Sequence, residues 1–555
     1  MTKYEEWLSK VQDSEILEEL KQIETDDGAI EDRFYRDLAF GTGGLRGEIG
    51  AGTNRMNIYT VARATQGYAN YLNQLPGEGK SVAIAYDSRI KSDVFSQTAA
   101  SVFAANGIQV HIYPELMPTP MLSYAVRVLG CDGGIVVTAS HNPSKYNGYK
   151  VYGADGCQIT LEAAKAILAE IEALDYFTDV KILDFKEGVE QDRISYIGED
   201  VIASFIREVS DRSMKPEPID KNVSIVYTPL NGTGRMPVTR CLEENGYTQI
   251  VIPKEQEMPD GHFPTCPYPN PEIREALEVG LKKAKEVGSD LLLATDPDCD
   301  RVGAAVRNRE GDYTLISGNQ MGVMLFDYIC KIHTEKGTMP QDPVVVSTIV
   351  STPMVDAIAA KYGVEVRRTL TGFKFIGEQI GFLEKDGQAD RYIFGFEESY
   401  GYLSGSHVRD KDGVNAALLI CEMFAYYKAQ GQSLLDVLEA LYQTYGYYGE
   451  TLQSIEFAGA AGAKKMEETM TRLRTDEIGA LGEYSVTERK DYNLGIQGLP
   501  KSDVLEFDLD GGSKVLIRPS GTEPKMKMYY LTKGTSTEDR NKIMKDLEES
   551  FQQFL

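Results

Sequence analysis

The chain has 555 residues, 42% hydrophobic and 26% charged, enough for about four domains at roughly 150 residues each. Its 84 acidic against 58 basic residues give a net charge of −26, which speaks against nucleic acid, whose phosphates need basic surface. No run approaches the roughly 18 apolar residues of a membrane span.

Met1 to Glu31 is acidic and helix-patterned, with Trp7, Leu8, Val11, Leu17 and Leu20 spaced for one buried face. It lacks the basic start and apolar core of a secretory signal. Seven scattered cysteines with no CxxC pair fit reduced thiols, so a cytoplasmic location is expected. Beyond this segment, short β-branched runs alternate with helix-patterned stretches. Ser81–Tyr86, Gln109–Tyr113 and Gly134–Thr138 form one set, with a helix predicted over Asp93–Asn106. Val223–Thr228, Ile250–Ile252 and Leu291–Thr295 form a second, and Pro343–Ile349, Val364–Arg367 and Tyr392–Phe396 a third. Such alternation predicts layered α/β domains with parallel strands. The last hundred or so residues differ. A helical stretch, Ala458–Leu481, leads into Val504–Leu509, Lys514–Ile517 and Met526–Leu531, which alternate like antiparallel strands, and a final helix runs from Ser536 to Phe551. The expected division is 1–210, 211–322 and 323–448 as three related mixed α/β domains, with 449–555 as an α+β domain. Linkers are predicted near Ser210–Asp220, His333–Asp342 and Tyr445–Glu450.

Five segments carry chemistry. Thr138-Ala-Ser-His-Asn-Pro-Ser-Lys-Tyr-Asn-Gly-Tyr-Lys150 follows an apolar strand. Ser140 there stands where open α/β sheets bind ligands, on a stiff support that suits a phosphoryl carrier. Asn142-Pro143 and Asn147-Gly148 read as turns. In Leu291–Val302, Asp296, Asp298 and Asp300 alternate after another apolar strand. Three mutually repelling carboxylates ask for a hard divalent cation such as Mg²⁺. An EF-hand is excluded, because Arg301 and Arg307 replace its glycine and glutamate. Gly395–Gly405 offers paired acids, Ser399 and aromatics for sugar hydroxyls, with His407, Arg409 and Lys411 just beyond. Ile517–Lys525 combines Arg518 with two hydroxyls and a glycine amide, a fitting phosphate cradle. Gly41–Gly47 is glycine-rich with one cation, Arg46, and lacks the Rossmann spacing. Gln74 stands where a Walker loop needs glycine, so nucleotide binding has no support.

In this order the five segments resemble the α-D-phosphohexomutase superfamily, from about Gly41 to Lys525. That family pairs a TASHNP serine loop, a DPDxDR metal loop, a GEES-type sugar loop and an RPSGTEP-type phosphate loop. The resemblance implies three related α/β domains plus a C-terminal α+β domain around a central cleft. It implies a phosphoserine at Ser140 and one Mg²⁺ per chain held by Ser140, Asp296, Asp298 and Asp300. Catalytic roles are implied for Lys150, Arg46, His141 and Lys411, with Lys411 as general base or acid if nearby positive charge lowers its pKa. Substrate contacts are implied for Thr371, Gly372, Glu397, Ser399, Arg301, His407 and Arg409, and for Arg518, Ser520, Gly521, Thr522 and Lys525 at the distal phosphate. The expected reaction interconverts glucose 1-phosphate and glucose 6-phosphate through glucose 1,6-bisphosphate. Small sugar phosphates are the expected partners, with no nucleic acid and no membrane, for a monomer or weak homodimer. Phe396, inserted after Gly395, departs from the GEES form and leaves phosphopentomutase, phosphomannomutase and sugar-bisphosphate synthase as alternatives for the sugar. Two rivals differ in class. An aspartyl-phosphate phosphotransferase expects Thr or Val where Asp300 stands, and a silent sugar-phosphate-binding protein should have lost Ser140 or the aspartates.

Overall fold

Three strand-borne connections dominate the architecture, and each belongs to a sheet of the same design. The computed structural model describes residues 2–457, 459–519 and 525–554. In the first sheet Gly133–Val137 lies beside Ser81–Tyr86 and then Gln109–Ile112, all parallel, and is flanked on its other side by antiparallel Tyr146–Gly153. The second sheet repeats that order with Val302–Arg307, Leu291–Thr295, Ile225–Thr228 and Ile250–Val251. Tyr402–Leu403, Tyr392–Phe396, Val344–Thr348 and Glu365–Thr369 repeat it in the third. Thus a buried parallel strand runs outward, turns through a loop and returns antiparallel beside itself. The outgoing strands Gly133–Val137, Leu291–Thr295 and Tyr392–Phe396 are buried throughout, as parallel strands covered on both faces require. In each loop one non-glycine residue takes a left-handed backbone: Ser140 (φ 50°), Cys299 (φ 52°) and Tyr400 (φ 65°). This costs on the order of 1–2 kcal/mol each and is held by the surroundings.

The return strands correct one expectation. Asn147-Gly148 is not a turn but lies inside Tyr146–Gly153, whose far edge pairs with Gly44–Glu48. Gly148 sits where a side chain would meet the Thr138 carbonyl at 2.5 Å, so the dipeptide serves close strand approach. Two predicted linkers are also corrected. His333–Lys336 completes the helix Gly318–Lys336. Tyr445 ends a helix and Tyr447 opens a strand, leaving only Gly446 between them.

The fourth sheet is antiparallel, in the order Tyr447–Glu456, Lys525–Gly534, Lys514–Pro519, Leu505–Leu509, Tyr484–Asp491 and Ala480–Leu481. Helix Thr537–Phe551 packs Leu547 and Phe551 beneath it. Its other face sets Leu516, Tyr529 and Leu531 against Val350 and Leu370 of the third unit. At the N-terminus three short helices close over Trp7, caged by Phe34, Tyr59, Tyr176 and Phe177. No helix among the described residues is long and apolar enough to cross a membrane. Loops of the first three sheets and strand residues of the fourth, among them Arg518 and Tyr529, converge on a cleft of about 860 Å³.

Candidate active site

At the floor of the cleft the first two repeated loops meet. Ser140 Oγ donates to Asp296 Oδ2 at 2.6 Å and lies 3.1 Å from His141 Nδ1. Asp296 Oδ1 accepts from the backbone N–H groups of Asp300 and Arg301, both at 3.1 Å, so the aspartate loop wraps its own first carboxylate. Asp298 accepts from Thr119 Oγ1 at 2.9 Å and from Lys150 Nζ at 2.8 Å. The three carboxylates are buried, and one oxygen of each lies within 4.8 Å of the others. Asp298 Oδ1 and Asp300 Oδ1 have no hydrogen-bond partner. Buried carboxylate oxygens without partners are costly, and three converging hard oxygens suit a divalent cation. The donor set fits a metal.

The carboxylates also organise the cations. Lys150 reaches Asp300 at 3.5 Å, and Lys411 Nζ lies 3.1 Å from both Asp300 and Asp410. Burial alone would lower the pKa of either lysine, but the neighbouring carboxylates outweigh it and raise both. The carboxylates around Lys411 thus favour its protonated form, opposite to the lowered pKa expected of it. His141 is driven the other way, chiefly by burial and then by Arg301 and Arg46, so its ring is neutral beside Ser140. Asp296 is raised by burial and by Asp298 and Asp300. Burial would raise Asp298 too, but Lys150 outweighs it and holds this group low. Arg46 projects from Gly44–Glu48. The pairing Arg46↔Gly148 and Gly44↔Lys150 puts Arg46 and Lys150 on one face of adjacent strands. Among the described residues seven cations line the cleft (Arg46, Lys150, Arg301, Lys374, Lys411, Arg518 and Lys527) against six acids, with Asp296 and Asp298 buried beneath them. The acid excess of the whole chain shrinks to near parity here, so an anion meets cations locally.

The third loop supplies Glu397, Glu398 and Ser399 to the same cleft. Glu397 Oε1 accepts from the Gly372 amide at 2.8 Å, and burial pushes its pKa up to about 7. Arg518 donates to Thr371 Oγ1 at 2.7 Å, joining the fourth sheet to the third. The unusual Phe396 is fully buried and packs over Gly322, where any side chain would collide with its ring. The insertion thus serves the core and does not enter the cleft.

Three expected substrate contacts fall elsewhere. His407 is buried, 2.9 Å from Asp412, and lies outside the cleft lining. Arg409 is fully buried. Its guanidinium pairs with Glu384 at 2.7 Å and donates to the Ser406 and Val408 carbonyls, and its backbone N–H donates to Ser123 Oγ. It fastens the segment before Lys411 across two units. Lys525 pairs with Glu456 at 3.1 Å, outside the cleft lining. Ser520, Gly521 and Thr522 lie outside the described residues. Residues that went unread include Thr119, which also donates its backbone N–H to the Asp298 carbonyl. Glu272 pairs with Arg301, and Asp410 is fixed by Tyr152 at 2.7 Å. Only the Pro118-Thr119-Pro120 spacing hints at one of them.

Residues 37–177, 203–311 and 317–445 match the family models described as phosphoglucomutase/phosphomannomutase alpha/beta/alpha domains I, II and III. The chain is 34% identical over 535 residues to a phosphoglucomutase of Staphylococcus saprophyticus, spanning 94% of this chain and 95% of that protein. It is 35% identical over 554 residues to one of Staphylococcus aureus, spanning 96% of each. Among solved structures it is similar to a Burkholderia thailandensis phosphoglucomutase/phosphomannomutase family protein (TM-score 0.69, 19% identity, 93% of this chain and 97% of that one). The open form of Paramecium parafusin, a phosphoglucomutase, gives a TM-score of 0.67 at 19% identity, covering 94% and 96%. At such identities these two structures speak for the fold alone.

Proposed function

The chain belongs to the phosphoglucomutase/phosphomannomutase family, and on that premise we propose that it interconverts glucose 1-phosphate and glucose 6-phosphate with Ser140 as the phosphoryl carrier. It is an enzyme of the isomerase class, an intramolecular phosphotransferase. The observation that carries the reading of Ser140 is its 2.6 Å hydrogen bond to Asp296 beside two buried carboxylate oxygens that lack partners.

In the proposed cycle a sugar hydroxyl oxygen bonds to the phosphorus carried on Ser140, the Ser140 Oγ–P bond breaks, and the proton lost by the sugar hydroxyl ends on the departing Ser140 Oγ. The product of this half is glucose 1,6-bisphosphate. It reverses in the cleft, and its other phosphate returns to Ser140. Phosphoryl transfer rests on alignment and charge neutralisation. Lys150, Arg46 and neutral His141 surround Ser140, and Lys411 stands by Asp300 and Asp410 as a further cation. Asp296, Asp298 and Asp300 would hold the divalent metal, Mg²⁺ by its preference for oxygen ligands, and it supplies neutralisation of phosphoryl charge when bound. Glu397 and Ser399 would accept sugar hydroxyls, while Arg518 grips the phosphate that is not transferred.

A competition assay with glucose, mannose, ribose and glucosamine phosphates tests the sugar. Glucose phosphate should show the highest kcat/KM, and a preference of tenfold or more for another sugar would overturn that choice.

A further inference from the structure

We propose that Arg89 is a positioning residue for phosphoryl transfer: from behind the serine loop its guanidinium sets the backbone that carries Ser140, and a segment of the second unit sets Arg89. The inference rests on Ser140 being the phosphoryl carrier. Arg89 is buried and does not line the cleft, so it touches no substrate. Its NH2 donates to the Ser140 carbonyl at 2.5 Å and to that of Asn142. Its NH1 donates to the carbonyls of Pro143 at 2.9 Å and Tyr146 at 3.0 Å. Three of these acceptors belong to the turn in which Ser140 holds its left-handed backbone, and the fourth, Tyr146, opens the return strand. The other side of the same residue is tied as well. The Ser140 N–H donates to Thr138 Oγ1 at 2.8 Å, Thr138 Oγ1 donates to Asp87 at 2.6 Å, and Asp87 Oδ2 lies 3.4 Å from Arg89 Nε. The loop closes on itself through Asp87 and Arg89.

The second unit supports the guanidinium from outside. The Phe263 ring lies 5.1 Å from it, and Gly261 forms a β-bridge with Arg89. A side chain at Gly261 would meet Ile90 N at 2.5 Å and the Ser88 carbonyl at 2.7 Å, so the two backbones touch. Only a planar fork of donors reaches four carbonyls at once; an ammonium ion offers three donors from one point. A nucleophile displaced by about 1 Å loses on the order of a hundredfold in rate. Arg89 therefore acts on the chemical step and leaves sugar binding alone.

The test compares wild type with Arg89→Lys, Arg89→Ala and Phe263→Leu, each checked by thermal melting. Phosphate transfer from labelled glucose 1,6-bisphosphate to Ser140 is timed, and kcat and KM are measured. Arg89→Lys should lose roughly a hundredfold in kcat and in labelling rate, with KM within about threefold of wild type. Phe263→Leu should show the same pattern at a few-fold. A folded Arg89→Lys with wild-type kcat, or with its loss carried by KM, overturns the proposal. Should both Arg89 variants fail to fold, an unchanged kcat in Phe263→Leu overturns it equally. Wild type that never acquires phosphate on Ser140 removes the carrier reading itself, and the proposal falls with it for that separate reason.

Discussion

At the floor of the cleft Ser140, Asp296, Asp298 and Asp300 are at most 5% exposed and are locked by hydrogen bonds that cross from one sheet unit to the next. At its far end Arg518 is half-buried, and its contact to Thr371 is what ties it to the third unit. The fourth sheet meets that unit through apolar side chains such as Leu370, Val350 and Tyr529. The contrast follows from the two tasks. A reacting phosphoryl group needs one fixed geometry, stabilised in advance. The distal grip must accept either end of a bisphosphate that reverses between half-reactions, so directional contacts there must be few and charge-based. Apolar docking, which has no preferred direction, suits such an end.

Removing the carrier should break the floor outright. Ser140→Ala is expected to cut mutase turnover by roughly a thousandfold or more with an unchanged melting curve. Turnover within a few-fold of wild type would sink the assignment. Next comes the metal. Chelation should abolish activity and Mg²⁺ restore it. Asp298→Asn should weaken Mg²⁺ binding measured by calorimetry, since it removes a charge and a partnerless oxygen together. Binding of unchanged strength would place the cation elsewhere.

The far end should yield more gently. Arg518→Ala is expected to lower glucose 1,6-bisphosphate affinity and both reaction directions by about 10- to 100-fold, the range of a charge-assisted contact. Arg518→Lys keeps charge without the fork and should recover part of it. Impairment of one direction alone would contradict a grip that serves both orientations.

The same contrast decides what could be read in advance. Parallel strands such as Leu291–Thr295 and Val344–Thr348 are continuous apolar runs buried on both faces, and they were legible. Two antiparallel strands were not. The return strand Tyr146–Gly153 is rich in glycine and tyrosine, and Tyr447–Glu456 alternates exposed polar residues along the edge of the fourth sheet. The serine and aspartates were legible because their chemistry needs those residue types at that spacing. His407 and Arg409 misled because charge in a loop reads as solvent-facing. Their partners Asp412 and Glu384 meet them only once the fold is made, and Glu384 comes from a distant helix. Arg89 escaped for the mirror reason, since its acceptors are backbone carbonyls that no sequence pattern records.

The smallest expected effect compares two buried glutamates, Glu397 at the sugar loop and Glu450 on the first strand of the fourth sheet. Burial pushes each pKa up to about 7 from a usual 4.5. Between pH 4.5 and 7 the folded protein therefore binds more protons at these sites than the unfolded chain, and stability falls as pH rises. The stabilisation is fully present below about 4.5 and is lost as pH passes through 7. Each site should contribute on the order of 1–3 kcal/mol across that window. Glu397→Gln or Glu450→Gln removes one titration, so urea unfolding followed from pH 5 to 8 should show a shallower decline in either variant. The double variant should be shallower still, because two titrations are then removed. Saturating glucose 1,6-bisphosphate should change the wild-type slope, because a ligand that needs the Glu397 carboxylate to accept hydroxyls supplies partners for the charged form. In Glu450→Gln that ligand effect should persist, and in Glu397→Gln it should shrink to the part contributed by the ligand's own phosphates, which titrate at about pH 6. A ligand effect of wild-type size in Glu397→Gln would move the sugar contact away from this loop.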